Sequence, residues 1–327
     1  MRFAASILPS VTDQMRYPTS RRAKRARTSP NSLSMSVEPL ENRLMLAGNV
    51  VVKVLGNGNI SITGDNSANQ ISIESSDSGD LLITGLSGTQ ITYDRVAADS
   101  QTISIGGDGE TNRDLIIRMR NGNDEVSIEN LDVRSTLNVN MSSGNDTLDL
   151  DQVNVGSVRY TGGSGGDTVT TSFLDVRGDT NINLGSASGA TPDFAHISLS
   201  TLNGKTTLRG SGGETRINVV SSDLNKETTI ATGSGDDRVE FLDSTTRGVK
   251  VQTSSGNDSV LAGLTTFNGK FENILSSGDD TVSFTGPTSA NSAVFNGGGR
   301  GNDRVEFASI FLSTSGSVTM QSIEAEI

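Results

Sequence analysis

The chain has 327 residues with one histidine, no cysteine, no tryptophan and only 4% aromatic residues, which excludes disulfides, thiolate chemistry and a histidine-based metal centre and leaves too little bulk for a broad globular core. Residues 1 to 50 hold 8 Lys+Arg against 3 Asp+Glu, net +5, and the other 277 hold 18 against 35, net −17. The body is therefore acidic and unsuited to nucleic acid, and no apolar run approaches the roughly 18 to 20 residues of a membrane-spanning helix.

Residues 1 to 36 are rich in Ser, Pro and base, with Arg21, Arg22, Lys24, Arg25 and Arg27 in one cluster. Such a composition predicts disorder, as a solvated tail or the basic region of an export signal. Ser20-Arg21-Arg22 suggests a twin-arginine signal, but no apolar region follows it.

Residues 37 to 48 read Val37-Glu38-Pro39-Leu40-Glu41-Asn42-Arg43-Leu44-Met45-Leu46-Ala47-Gly48. This segment resembles the LEPR-XLL motif of exported planctomycete proteins. Leu40, Glu41, Arg43 and Leu46 match the pattern, Asn42 stands where proline is common, and Met45 replaces a leucine. The resemblance covers about a dozen residues and implies an extracellular or cell-surface context, with no activity attached. Read without it, the segment is a short apolar helix or a lead-in to a strand.

Over residues 49 to 105, short β-branched runs alternate with Gly, Asn, Asp and Ser at hairpin-like spacing. They predict an N-terminal β-cap or irregular first coils. A stack of like coils leaves its first layer exposed, and a different covering piece is expected there.

Residues 106 to 327 are dominated by one phrase, a small turn, an acid and a strand, as in Gly235-Asp236-Asp237-Arg238-Val239-Glu240-Phe241. Taking the acid as anchor, positions 124, 146, 167, 193, 214, 237, 258, 280 and 303 are separated by 22, 21, 26, 21, 23, 21, 22 and 23 residues. A period that steady denotes stacked structural repeats. Apolar residues two and four places after the anchor, such as Val126 and Ile128 or Val239 and Phe241, share one face of a strand and point inward. A second strand signal follows about ten residues later, after a bend marked by Gly156, Gly178, Gly204, Gly248, Gly269 and Gly316, for which positive φ is expected. Two strands per period, each matched by its like in the next copy, predict an all-β fold, a right-handed parallel β-helix or β-solenoid. With coils about 4.8 Å apart, nine of them would make a rod of roughly 40 Å.

The turn phrase resembles the Gly/Asp nonapeptide of RTX repeats, most closely at Gly162-Gly163-Ser164-Gly165-Gly166-Asp167-Thr168-Val169. RTX copies recur every nine residues, whereas here one edge of each coil carries the phrase. The resemblance implies weak Ca²⁺ sites at Asp146, Asp167, Asp237, Asp258, Asp280 and Asp303. The alternative is that these side chains bond backbone N–H groups of the turns. On either view the acids are expected along an exposed edge, about 5 Å apart. The sole histidine, His196, lies three residues after its anchor, at the outward position shared by Asp149, Glu240 and Glu306, which makes it an exposed strand residue. The sequence thus predicts a non-catalytic, exported structural or adhesive module with no required cofactor, whose partner is a cell-surface polysaccharide or matrix protein. A calcium-binding repeat module and a polysaccharide lyase or hydrolase of the β-helix class are the alternatives.

Overall fold

The computed structural model describes residues 48–327 other than 77, 106–109, 188–190, 300, 308–309, 313–316 and 327. The basic segment 1–36, the motif at 37–48 apart from Gly48, and Gly316 lie outside the described residues. The described residues form a parallel β-solenoid without helix. Each regular coil turns through three short strands rather than the two suggested by the sequence. In one of the two coils where they are cleanly separated they are Thr168–Ser172, Asp175–Val176 and Thr180–Ser186, and their stacks are called faces A, B and C. Face B escaped the sequence pattern because a two-residue strand is too short to show alternation.

Like pairs with like from coil to coil. Val126 stands beside Leu148, then Val169, Ala195, Ile217, Val239, Val260, Val282 and Val305, always in parallel register. The inward positions two and four after the anchor are sealed, with Val126, Ile128, Val239 and Phe241 all at 0% exposure. Removing these side chains from water supplies about 1.5–3 kcal/mol each. In the later coils the filling becomes aromatic. Phe241, Phe267, Phe271, Phe284 and Phe295 meet at ring-centroid distances of 4.4 to 6.1 Å, mostly edge to face, as ring quadrupoles favour.

The first coil is flanked by antiparallel hairpins. Gln70–Ser75 pairs with Leu81–Leu86, and that strand with Ser100–Ile103, both antiparallel. On its other side Gln70–Ser75 starts face A by pairing in parallel with residues 125–129. Asn49–Val54 and Ile60–Thr63 form a further antiparallel pair, which joins face C through Leu115–Arg118.

The glycines of the B–C bend do not take positive φ, contrary to the sequence expectation. In several coils the pairing shifts register at this bend, for example between Thr246 and Val249. Gly269 is needed there for closeness instead, since a Cβ on it would lie 2.0 Å from the Arg247 carbonyl oxygen. The left-handed backbone belongs to the A–B corner. Asn130, Gln152, Phe173, Leu199, Ser221, Asp243 and Leu264 sit one above another there with φ of 47 to 55°.

Candidate functional site

The turn from face C back to face A carries the repeated phrase, and its three residues have three separate tasks. The glycine comes first. Gly122, Gly144, Gly165, Gly235, Gly256, Gly278 and Gly301 take φ between 123 and 141°, a region essentially closed to other residues. A Cβ on Gly256 would also fall 2.0 Å from the Gly235 carbonyl oxygen of the previous coil. The next residue reaches forward along the stack. Asn123 Oδ1 accepts the Asn145 N–H at 2.9 Å, Asp236 Oδ1 accepts that of Asn257 at 2.7 Å, and Asp279 Oδ1 that of Asn302 at 2.9 Å.

The anchor acid reaches backward. Asp146 Oδ1 accepts the Asp124 N–H at 2.8 Å, Asp167 that of Asp146 at 3.1 Å and Asp193 that of Asp167 at 2.9 Å. Asp258, Asp280 and Asp303 do the same for Asp237, Asp258 and Asp280 at 2.9, 2.8 and 3.1 Å. Asn69 heads the row, its N–H donated to Asp124 Oδ1 at 2.7 Å.

These acids are inside the solenoid. Asp124, Asp146, Asp167, Asp193, Asp237, Asp258, Asp280 and Asp303 are exposed by 0 to 3%, which corrects the expectation of an exposed acidic edge. The reason is parity: if positions two and four after the anchor face inward, so does the anchor. A second correction concerns Glu214. The residue in register with Asp193 is Thr215, whose N–H is donated to Asp237 Oδ1 at 2.7 Å. Glu214 instead faces out and meets Arg216 at 2.6 Å. Ile217 and Val219 lie two and four residues after Thr215, and that count carries the signal from sequence.

The second oxygen of each carboxyl has a different fate. Oδ2 of Asp124, Asp146, Asp167, Asp193, Asp237, Asp258 and Asp280 is buried without a hydrogen-bond partner. Burial therefore raises the pKa of Asp146 and Asp167 from 3.8 to about 7, and those of Asp124, Asp193, Asp237 and Asp280 to about 6. Asp258 and Asp303 are raised for the same cause. The Tyr160 hydroxyl is also buried and unpartnered. Burial first, then the charges of Asp167, Asp146 and Asp193, push it well above 10. The six acids expected to hold Ca²⁺ thus form one line through the stack, one per coil, with Oδ1 already engaged by a backbone N–H. Among the described residues, no three acids or histidines gather in a group able to hold a metal ion.

No protein-family model, curated protein or solved structure matches this chain.

The outer wall of face A holds the remaining polar constellation. One row across the coils reads Asp149, Thr170, His196, Asn218 and Glu240. Thr170 Oγ1 donates to Asp149 Oδ1 at 2.7 Å. His196 is half-buried in this wall, at the outward position expected for it. Its ring stacks on Phe194 with centroids 6.0 Å apart and planes 13° apart. The row beside it reads Thr168, Phe194, Arg216 and Arg238. Arg238 and Glu240 approach to 3.5 Å on one strand.

Proposed function

We propose that this chain is a non-catalytic, exported β-solenoid that serves as a structural and adhesive module at the cell surface or in its matrix. One observation carries the reading. The polar side chains of the repeated phrase are spent on hydrogen bonds between coils, forward through Asn123, Asp236 and Asp279 and backward through the buried acids, so the most insistent motif in the sequence holds the stack together. The carboxylates at the two ends of the His196 row, Asp149 and Glu240, stand four coils apart. That is roughly 19 Å at the spacing of adjacent strands, beyond the about 5–9.5 Å that places paired carboxylates across a glycosidic bond. Fractionation of native cells with an antibody raised against residues 48–327 tests the proposal. Recovery in the surface or matrix fraction is expected, and a purely cytosolic protein would overturn it.

A calcium-binding module is the second reading, favoured by the unpartnered Oδ2 atoms of the buried row. Ca²⁺ takes six to eight oxygen ligands, and the row offers a free carboxylate oxygen at each of Asp124, Asp146, Asp167, Asp193, Asp237, Asp258 and Asp280. Thermal melts in excess chelator and in millimolar Ca²⁺ decide between the readings, and unfolding in chelator would put the calcium module first.

A further inference from the structure

The regular repeat is broken twice in succession. The interval before Asp193 stretches to 26 residues, and the next coil carries Thr215 where the acid of the row belongs. A groove of about 560 Å³ opens on the outer wall of face A just past these breaks, lined by Phe194, Arg216, Asn218, Arg238, Glu240 and Asn257 among others. Its volume lies within the range of sites for small organic ligands.

We propose that this groove binds a neutral polysaccharide chain, with Phe194 forming a platform for a sugar ring and Arg216, Asn218, Arg238 and Glu240 receiving its hydroxyls. The inference rests on the adhesive reading above and names the ligand class and the place. A sugar presents an apolar C–H face and an edge of hydroxyls that both donate and accept. The groove supplies the complement of each. Phe194 lines the groove as a half-buried aromatic ring, backed by the parallel ring of His196 two residues on. Beside it stand two guanidinium donors, a carboxamide that donates and accepts, and a carboxylate acceptor. The paired strands set these groups at fixed heights. Phe194, Arg216 and Arg238 form one file, with His196, Asn218 and Glu240 in the next. The arginines are held in place by Glu214 at 2.6 Å and Glu240 at 3.5 Å, and an ordered side chain loses less entropy on binding than a free one.

Charge selects a neutral chain over an anionic one. Glu214, Asp236 and Glu240 line the groove against only two cations, Arg216 and Arg238, within a body whose residues beyond 50 carry net −17. A uronic or sulfated chain would bring one like charge after another to that wall.

The test is calorimetric titration of the full chain with β-1,4-linked hexamers of glucose, mannose and galactose, and with a mannuronic acid hexamer as the anionic counterpart. At least one neutral hexamer is expected to bind, and the uronic hexamer more weakly or not at all. Phe194→Ala should weaken binding about threefold to tenfold, the effect of losing one aromatic stacking contact. Arg238→Ala should weaken it as well, while Ser127→Ala, on the same wall several coils away, leaves it unchanged. Melting temperatures of the three variants establish that each is folded. Absence of heat with every neutral hexamer, tighter binding of the uronic hexamer, or a folded Phe194→Ala protein that binds like the parent would each overturn the proposal. Cell fractionation is independent of these outcomes, so a surface protein with an inert groove would refute the ligand without touching the location.

Discussion

The buried acids make stability depend on pH in the direction opposite to that of most proteins, and Asp146→Asn is the substitution that exposes the cause. Asp146 is 1% exposed, accepts the Asp124 N–H at Oδ1 and leaves Oδ2 without a partner. Burial raises its pKa from 3.8 to about 7, with the neighbouring charges of Asp167 and Asp124 adding in the same sense. The folded state therefore binds the proton more tightly than the unfolded chain does. The stabilisation is fully present below about 3.8 and is lost as pH rises through about 7. The distance between those values is worth about 4 kcal/mol for one such carboxyl, roughly 7 °C in melting temperature for a body of this length. Asp167 has the same range, but the two carboxyls interact and their contributions do not simply add.

Asparagine keeps the carbonyl oxygen that receives the Asp124 N–H and replaces the titrating oxygen by an uncharged donor. An amide already stands at the head of the row, where Asn69 Nδ2 donates to Asp124 Oδ1 at 3.2 Å and to the Ser67 carbonyl at 2.7 Å while its Oδ1 is buried without a partner. Thermal unfolding followed by circular dichroism at pH 4.5 and pH 8 is the assay. The parent protein should melt lower at pH 8 than at pH 4.5. Asp146→Asn should melt several degrees above the parent at pH 8, and the difference should shrink at pH 4.5. The charged groups acting on the rest of the row are themselves acids: Asp65 on Asp124, Glu214 on Asp237, Asp236 on Asp258, and Asp279 on Asp280 and Asp303. Asp65 and Asp114, held below 3.8 by hydrogen bonds that outweigh their desolvation, contribute stability that is lost as pH falls below about 4, so the optimum lies near pH 4 to 5. A parent that melts higher at pH 8 than at pH 4.5, or an Asp146→Asn protein less stable than the parent at pH 8, would refute the reasoning.

Three further outcomes follow from the same geometry. Gly256→Ala, which combines φ of 133° with a Cβ 2.0 Å from a carbonyl oxygen, should cost more than about 2 kcal/mol in urea unfolding, whereas Gly248→Ala, whose nearest neighbour is 3.5 Å away, should stay within about 0.5 kcal/mol. Asn273 is 0% exposed with both amide atoms unpartnered, between Val251 and Phe295 in its inward row, so Asn273→Val should stabilise the protein by about 1–3 kcal/mol, read as a higher urea midpoint. In excess chelator the protein should keep a cooperative thermal transition, because backbone N–H groups hold the Oδ1 row; loss of that transition would make Ca²⁺ the occupant opposite Oδ2.

The coil period and the parallel stacking were legible because the same residues recur at the same offset. Val239, Val260, Val282 and Val305 mark it without help from tertiary structure. What escaped the sequence was information carried by single residues or by contacts between coils. Face B shrinks to Asp175–Val176 in one coil, so no period can be counted in it. The A–B corner holds Asn130, Phe173, Ser221 and Leu264 in one left-handed conformation, and residues so unlike in propensity announce no common backbone. That conformation is imposed by stacking. The glycines misled for the complementary reason: Gly269 is required by the carbonyl of the coil before it, a constraint invisible in a local reading of turn chemistry. Charge alone places the acids on an outer edge, whereas parity with the apolar positions two and four residues on places them inside. An aspartate in an apolar interior is costly, but one whose oxygen accepts the N–H of the neighbouring coil satisfies a donor that the turn would otherwise bury unpaired. The row therefore closes the backbone hydrogen bonding at each turn, at the expense of a carboxyl that must find a proton or a cation for its other oxygen.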